Sequence, residues 1–442
     1  MNRSARAVAL EVVRRVADEG AYSNRLLPAT LGRSGLDERD RGLVTELVYG
    51  TLRHVPELDA AIGARAARPL ERMTPGARAA LRLGAYQLLH TRIPAHAAVS
   101  ETVGAVVARE RGFVNAILRR LAKDPPAPAK GHDDRRLSLR TGLAPWAVAE
   151  LRRTLPSDEV EAAALAFGER GPLTLRVNTC RVTVDDAERA LSEAGHEPVR
   201  GAVDPECLLL SGGDPTSLPG WEEGWLAVQD QASAFVVETL DVQTGDRVLD
   251  ACAAPGGKTA FVACRASEEG FTVAADVSPT RVGLIPPLLD RLGVGASLLL
   301  QDATRPAARG PFDRALVDAP CSGIGSARRR PELLWRPRRE ELSRLGRLQV
   351  AIAVATADLV APGGRLVYSV CTFPRAETDA VCDAIVRHRP DLRPIETPGP
   401  DGPALRHRLW PHRHGTDGMF VAAFERSARS VPSSDPGDET FD

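Results

Sequence analysis

Two cysteines that follow apolar, strand-like segments are candidates for nucleophilic chemistry. Cys321 stands directly after a proline in "DAPCSG", and Cys371 closes the segment "LVYSVCT". A thiolate adds to electron-poor carbon atoms, although a lone cysteine is more often a small buried apolar residue. Because both cysteines come at the ends of successive predicted strands, we expect both thiols to face one pocket. Spacing alone leaves open which of them would attack a substrate.

A series of aspartates ends the predicted strands of the same region. Asp250 precedes the small-residue loop of "VLDACAAPGGKTAF", and Asp276, Asp302 and Asp318 end the next three strands. A single aspartate at such a place is more often a cap or turn residue. A small-residue loop before a helix lets a ligand approach the backbone, and a carboxylate one strand over is a common partner for ribose hydroxyls. The loop matches neither the dinucleotide nor the phosphate-loop pattern, so the set favours S-adenosylmethionine as cofactor.

The elements that must position these residues form a multi-domain chain. Residues 1–123 have helical periodicity throughout and predict an all-α bundle, and the Pro-rich stretch 124–135 is typical of a linker. Residues 136–225 predict a small α/β domain. Strands and helices alternate over 226–426, which predicts a Rossmann-like α/β domain with its functional residues at the strand C-termini. The polar tail 427–442 is predicted to be disordered.

Composition and charge limit the function classes. The chain of 442 residues has a net charge of −1, but residues 1–123 hold 20 Lys or Arg against 12 Asp or Glu, a balance of +8. A basic first module predicts contact with an anionic polymer such as RNA. No apolar run long enough for a bilayer and no secretory signal is evident, so we expect a cytoplasmic protein with no membrane partner. The seven cysteines show neither metal spacing nor a disulfide framework, and we expect reduced thiols.

Ordered sequence blocks resemble a known family. "DACAAPGGKT", "DAPCSG", "YSVCT" and "PHRHGTDGMFVAAF" are similar, in that order, to the Sun family of RNA cytosine-5 methyltransferases. "GFVNAILRRL" and the rest of residues 1–123 resemble the helical RNA-binding domain of the antitermination factor NusB, a combination that favours ribosomal RNA as substrate. The resemblance implies an S-adenosylmethionine site made of Cys252, Ala253, Ala254, Pro255, Gly256, Gly257, Lys258, Asp276, Arg281, Asp302 and Asp318.

The resemblance also implies catalytic roles. Cytosine C5 is too weak a nucleophile to take a methyl group until a thiolate has added to C6. A cysteine after proline is the nucleophile of DNA cytosine methyltransferases, which would assign the attack to Cys321. The RNA family instead implies attack by Cys371, product release by Cys321, and a hydrogen bond or proton from Asp318 to N3 of the base. The carboxyl of Asp318 would then be protonated or share a proton.

Two stretches depart from the family pattern. After Cys371 the chain reads "TFPRAETD", in which only Glu377 keeps an acid in register and Thr378 stands where asparagine is typical. The stretch "SGIGSARRRPELLW" also departs from the Gly-Thr-Gly and His-Pro-Asp pattern of the family, and the arginine runs 328–330 and 336–339 flank its Trp335. Such a stretch could bind phosphates and stack on a flipped base, or it could be an ordinary solvated helix face.

The predicted function is methylation of C5 of a cytidine in 16S ribosomal RNA, as free RNA or an assembly intermediate, by a monomer. The alternatives are a transfer RNA methyltransferase and a non-catalytic RNA-binding or ribosome-assembly factor. The histidine-containing stretch "HRLWPHRHG" lacks the context of a metal site, so we predict no metal.

Overall fold

The computed structural model describes residues 4–127, 129–267 and 269–428. Residues 429–442 of the tail that the sequence predicts to be disordered lie outside the described residues. The chain divides into two compact units, one containing the residues up to Gly171 together with Gly323–Arg339, the other containing Pro172–Ser322 and the residues from Glu340 onward. Within the described ranges, no helix has the length and apolar composition needed to cross a membrane.

The first unit is helical, as the periodicity predicted. Three helix starts follow from capping residues, because the side chains of Ser4, Asp37 and Thr74 each accept a hydrogen bond from a first-turn N–H. The helices of this unit are α1 (Ala5–Glu19), α2 (Ser23–Leu31), α3 (Glu38–Arg53), α4 (Val55–Gly63), α5 (Pro75–His90), α6 (Ala95–Ala105), α7 (Ala108–Lys123), α8 (Asp134–Thr141), α9 (Pro145–Thr154) and α10 (Val160–Gly168).

Two glycines allow close packing around α5. A Cβ on Gly50 of α3 would lie 2.0 Å from the ring of Tyr86, and one on Gly84 would lie 2.5 Å from the side chain of Leu118. The absence of a side chain at these positions therefore lets α3 and α7 approach α5, and the apolar faces merge into one core.

Residues 323–339 belong to the helical unit. The indole N–H of Trp335 donates to the carbonyl of Leu52 at 2.8 Å, and Glu332 accepts from the backbone N–H and hydroxyl of Ser23 at 3.0 and 2.7 Å. Arg336 donates to the carbonyls of Val16 and Ala21. Trp335 and Arg336 thus hold this segment on the bundle, which argues against the interpretation of Trp335 as a base-stacking residue.

The second unit begins with a small antiparallel sheet. Its elements are β1 (Leu173–Val177), α11 (Val184–Glu193), β2 (Val199–Arg200), β3 (Cys207–Leu210) and β4 (Leu226–Val228). The strand order is β2-β3-β1-β4, and one face packs with α11 around a cluster of leucines and valines. The helices α8–α10, which the sequence grouped with this sheet, lie in the helical unit instead.

The large sheet carries the candidate site. Its elements are α12 (Gln231–Leu240), β5 (Arg247–Asp250), α13 (Gly257–Ala266), β6 (Phe271–Asp276), α14 (Pro279–Val282), α15 (Ile285–Leu292), β7 (Ser297–Leu300), β8 (Phe312–Asp318), α16 (Arg339–Ala357), β9 (Val360–Val370), α17 (Asp379–His388), β10 (Leu392–Ile395), β11 (Arg406–Leu409), α18 (Pro411–His414) and β12 (Met419–Arg426).

The strand order of this sheet is β10-β12-β9-β8-β5-β6-β7, with β11 paired to β12. Strands β5 to β9 are parallel, whereas β12 runs antiparallel to β9, β10 and β11. The chain proceeds outward from β5 to β7 and then returns to β8 on the other side of β5. The carboxyl ends of β5 and β8 therefore flank the crevice where ligands bind in such sheets.

The expectation that all cysteines are reduced is wrong for one pair. Cys180, just beyond β1, is joined to Cys264 on α13 by a disulfide, with Cα atoms 6.0 Å apart. Cys180 is exposed, unlike the buried apolar residue that a lone cysteine usually is. Their separation of 84 residues hid the contact, because the sequence does not reveal that the small sheet places the end of β1 beside α13. The five remaining cysteines are free thiols.

Candidate active site

The loop between β5 and α13 begins at a buried carboxyl group. Asp250 ends β5 and accepts a hydrogen bond from the Thr259 hydroxyl at 2.7 Å. Burial, reinforced by the nearby charge of Asp318, raises the pKa of Asp250 to about 7. Gly256 has φ +103°, a conformation that glycine adopts without strain, and it directs the chain into α13.

Asp276 ties this loop to the end of β6. Its carboxylate accepts from the backbone N–H of Ala254 at 3.3 Å and from that of Ser278 at 3.0 Å. Arg281 lies 3.4 Å from the same carboxylate and also donates to the carbonyl of Ala254. The structure thus brings Ala254 and Arg281 into contact with the carboxylate of Asp276, and all three are residues of the predicted cofactor site.

Asp302 lies just beyond β7, one strand further along. Its Oδ1 accepts from the backbone N–H and the hydroxyl of Thr304 at 2.9 and 2.8 Å. The hydrogen bond from the Thr304 backbone lowers the pKa of Asp302, which therefore remains an ionised acceptor.

The remaining loop residues fit a nucleoside cofactor with a carboxylate group. Cys252, Ala253, Ala254 and Pro255 are small or compact, and burial raises the pKa of Cys252, so this thiol stays neutral. Gly257 opens α13 without a capping side chain. The first N–H groups of that helix are therefore available to an anionic group, and the strand-end carboxylates are suitable acceptors for ribose hydroxyls and an amine.

Lys258 and Asp318 form an ion pair beside the loop. The Lys258 ammonium lies 2.7 Å from Oδ2 of Asp318, whose Oδ1 accepts from the Ser369 hydroxyl at 3.0 Å. Burial opposes the charge on Lys258, but Asp318 outweighs it and raises the pKa of the lysine. Lys258 therefore keeps a charged ammonium group beside Asp318.

The two predicted thiols lie together beyond β8 and β9. The Sγ atoms of Cys321 and Cys371 are 3.5 Å apart, within sulfur hydrogen-bond distance. The hydrogen bond with Cys371, together with burial, raises the pKa of Cys321 well above its ordinary value. The Cys321 thiol therefore keeps its proton, and the Cys371 sulfur is its hydrogen-bond partner.

A buried acid to which the sequence pattern assigns no role anchors the Cys321 segment. Glu377 is fully buried and accepts from the backbone N–H and hydroxyl of Ser322, at 2.9 and 2.6 Å. Gln349 of α16 donates to Glu377 and to the Pro320 carbonyl, both at 3.0 Å. Tyr368 of β9 donates to the Glu377 carbonyl at 2.7 Å. Two signals in the sequence point to this contact: Glu377 is the acid that stays in register with the family, and Gln349 is a polar residue in the mostly apolar run "LQVAIAVATA".

Comparisons with known proteins agree with this geometry. Three family models match the chain: the NusB family over residues 3–123, an RsmF/B-like ferredoxin-like domain over 144–216, and the 16S rRNA methyltransferase RsmB/F over 237–425.

Individual relatives extend over nearly the whole chain. The Mycobacterium tuberculosis protein named "Putative methyltransferase MT1451" is 37% identical, covering 96% of this chain and 96% of its own length. The Bacillus subtilis "Probable ribosomal RNA small subunit methyltransferase B" is 33% identical, covering 96% and 99%. The crystal structure of PH0851 has a TM-score of 0.84 at 24% identity, with 96% and 100% coverage, and supports the fold. The chain therefore belongs to the RsmB/F family of S-adenosylmethionine-dependent RNA methyltransferases.

Proposed function

We propose that this protein methylates C5 of a cytidine in 16S ribosomal RNA, with Cys371 as the nucleophile and Cys321 as the residue that releases the product. The observation that carries the proposal is the 3.5 Å separation of the two sulfur atoms at the ends of adjacent strands. A methyltransferase acting on an amine or a hydroxyl needs no thiol, and a single-thiol mechanism leaves one of the two unexplained. The names of relatives such as the B. subtilis protein support 16S RNA as substrate.

The first step needs a thiolate at one of the two sulfurs. In the proposed mechanism Cys321 donates its proton in the hydrogen bond between the two sulfurs, and Cys371 carries the negative charge. The Cys371 sulfur adds to C6 of the flipped cytosine, and the electrons of the C5–C6 double bond move into the ring toward N3. The Lys258 ammonium, held by Asp318, can stabilise this charge. S-adenosylmethionine, when bound, would supply the methyl group to the electron pair that returns to C5, with S-adenosylhomocysteine as the leaving group.

Release needs a base for the C5 proton. Once the Cys371 sulfur is bonded to carbon, its hydrogen bond with Cys321 and its charge, which both raise the pKa of Cys321, no longer act, while burial remains. Cys321 can then lose its proton to solvent, and its thiolate can remove the proton from C5. The electrons of that C–H bond restore the C5–C6 double bond and expel the Cys371 thiolate. One sulfur therefore controls when the other becomes a base.

The test uses labelled S-adenosylmethionine with unmethylated 16S RNA and, separately, with transfer RNA. We expect label in 16S RNA for the wild type, none for Cys371→Ala, and a denaturation-resistant protein–RNA adduct for Cys321→Ala. Cys382→Ala, which removes a buried thiol of α17, is the matched control and should keep labelling. A fully active Cys371→Ala protein, or equal label in transfer RNA, would contradict the proposal.

A further inference from the structure

Three potential metal ligands meet in the helical unit, outside the methyltransferase site. His54 immediately precedes α4, Glu57 lies in the first turn of α4, and His90 is the last residue of α5. Oε2 of Glu57 lies 3.2 Å from Nδ1 of His54 and 2.9 Å from Nε2 of His90. All three ligand atoms fall within 4.8 Å of one another, so a single ion could contact them together.

The distances between these atoms are close to the distance between two neighbouring ligands of one metal ion. Zinc binds histidine nitrogen at about 2.0–2.1 Å and carboxylate oxygen at about 2.0–2.2 Å in tetrahedral geometry. Those lengths place neighbouring ligand atoms about 3.3–3.5 Å apart. The distances of 2.9 and 3.2 Å are a few tenths of an ångström shorter, a difference that small side-chain rotations can supply.

The surrounding contacts hold the two helices and one ring in place. Arg82 of α5 forms two hydrogen bonds to Asp59 of α4, each of 2.7 Å. Tyr86, one turn before His90, stacks on its ring with centroids 5.5 Å apart, and its hydroxyl donates to Glu46. Such outer contacts fix the orientation of ligands before an ion binds.

The two imidazole rings present their nitrogens to the same carboxylate oxygen. The rings of His54 and His90 are stacked, with centroids 3.9 Å apart. The cluster therefore holds two potential nitrogen ligands and one carboxylate oxygen within reach of one ion.

We propose that His54, Glu57 and His90 bind one divalent transition-metal ion of the zinc class. Two imidazole nitrogens and one carboxylate oxygen are a donor set of zinc sites that leave a fourth position for water or another ligand. The ion joins the start of α4 to the end of α5. No local motif indicates this site, because its residues are split between 54–57 and 90.

The test is metal binding by the full-length, metal-stripped protein. Co²⁺ is titrated as a spectroscopic probe and then displaced by Zn²⁺. We expect one Co²⁺ per chain with nitrogen and oxygen ligation. Loss of an outer contact weakens metal sites about 10–100-fold, so His90→Ala and Glu57→Gln, which remove ligands, should each weaken binding by more than about 100-fold. His96→Ala, at an exposed histidine of α6, is the matched control and should bind like the wild type.

Thermal unfolding separates a lost ligand from a damaged fold. Zn²⁺ should raise the unfolding temperature of the wild type and of His96→Ala but not that of His90→Ala, while all three unfold at similar temperatures without metal. The proposal is overturned if the wild type binds Zn²⁺ only at millimolar concentration, or if His90→Ala binds it as tightly. A Co²⁺ spectrum with strong sulfur-to-metal charge transfer would assign the ion to the active-site thiols and would also refute it.

Discussion

Replacing Glu377 with alanine is expected to destabilise the second unit and to misplace Cys321. The carboxylate accepts hydrogen bonds from two N–H donors, the backbone of Ser322 and the side chain of Gln349, and both bonds end on Oε1. A buried donor left without a partner costs about 1–3 kcal/mol, so the alanine variant should lose about 2–6 kcal/mol. The Ser322 hydroxyl adds little to this figure because it also contacts the Thr372 hydroxyl at 2.7 Å.

Glu377→Gln is the matched control. The amide oxygen of glutamine can accept from both N–H donors, and its NH₂ group can donate to the Ser322 hydroxyl in place of the present bond. Burial raises the pKa of Glu377, so the charge itself contributes little stability in this position. We therefore expect the glutamine variant to unfold within about 1 kcal/mol of the wild type.

The assay combines urea unfolding with product release. Ser322 follows Cys321 directly, so loss of its anchor should leave Cys371 in place while moving the Cys321 sulfur, to which we assign product release. The folded fraction of Glu377→Ala should accumulate the protein–RNA adduct, as Cys321→Ala does, whereas Glu377→Gln should turn over. Equal stability of the alanine and glutamine variants would refute the hydrogen-bond argument, and rapid release by Glu377→Ala would refute the positioning role.

Three further predictions concern other groups. Because the pKa of Asp250 is raised from 3.8 to about 7, the stability it contributes is complete below about pH 4 and is lost as the pH rises to about 7. A three-unit shift corresponds to about 4 kcal/mol. The free energy of unfolding of Asp250→Asn, measured with urea, should therefore fall less over that pH range than that of the wild type. Trp335→Phe leaves the Leu52 carbonyl without its donor and should lower the free energy of unfolding of the helical unit by about 1 kcal/mol, measured by calorimetry. Thiol titration of the denatured, unreduced protein should find five thiols, and seven only after reduction of Cys180–Cys264.

The parts of the site that the sequence predicted depend on one rule of parallel sheets. The carboxyl ends of parallel strands meet at the same edge, so residues that end successive strands become neighbours whatever lies between them. That rule brings Asp276 to the cofactor loop, and it brings Cys371 at the end of β9 to Cys321 beyond β8. Local pattern was sufficient because the strand ends alone determine these contacts.

The contacts that the sequence did not predict join elements that are distant in the chain, and no residue pattern within either element indicates its partner. Strand β12 is inserted between β9 and β10 and runs antiparallel to both, although it comes last in the chain. The segment 323–339 follows β8 in the chain, yet it packs on helices that precede it by more than 270 residues, through hydrogen bonds such as that from Trp335 to Leu52. Neither apolar periodicity nor turn residues specify which distant surface such a segment covers.

The residues after Cys371 that depart from the family pattern have a structural role, which the pattern alone does not indicate. Glu377, the one acid in register, anchors Ser322, and Thr378 is fully buried. Its hydroxyl donates to the Pro374 carbonyl at 3.1 Å and accepts from Arg408 at 3.3 Å. A threonine can therefore replace the usual asparagine because the polar groups around it find partners within the turn and on β11. Substitutions in this turn should therefore affect the position of Cys321 more than contact with RNA, because Glu377 anchors Ser322.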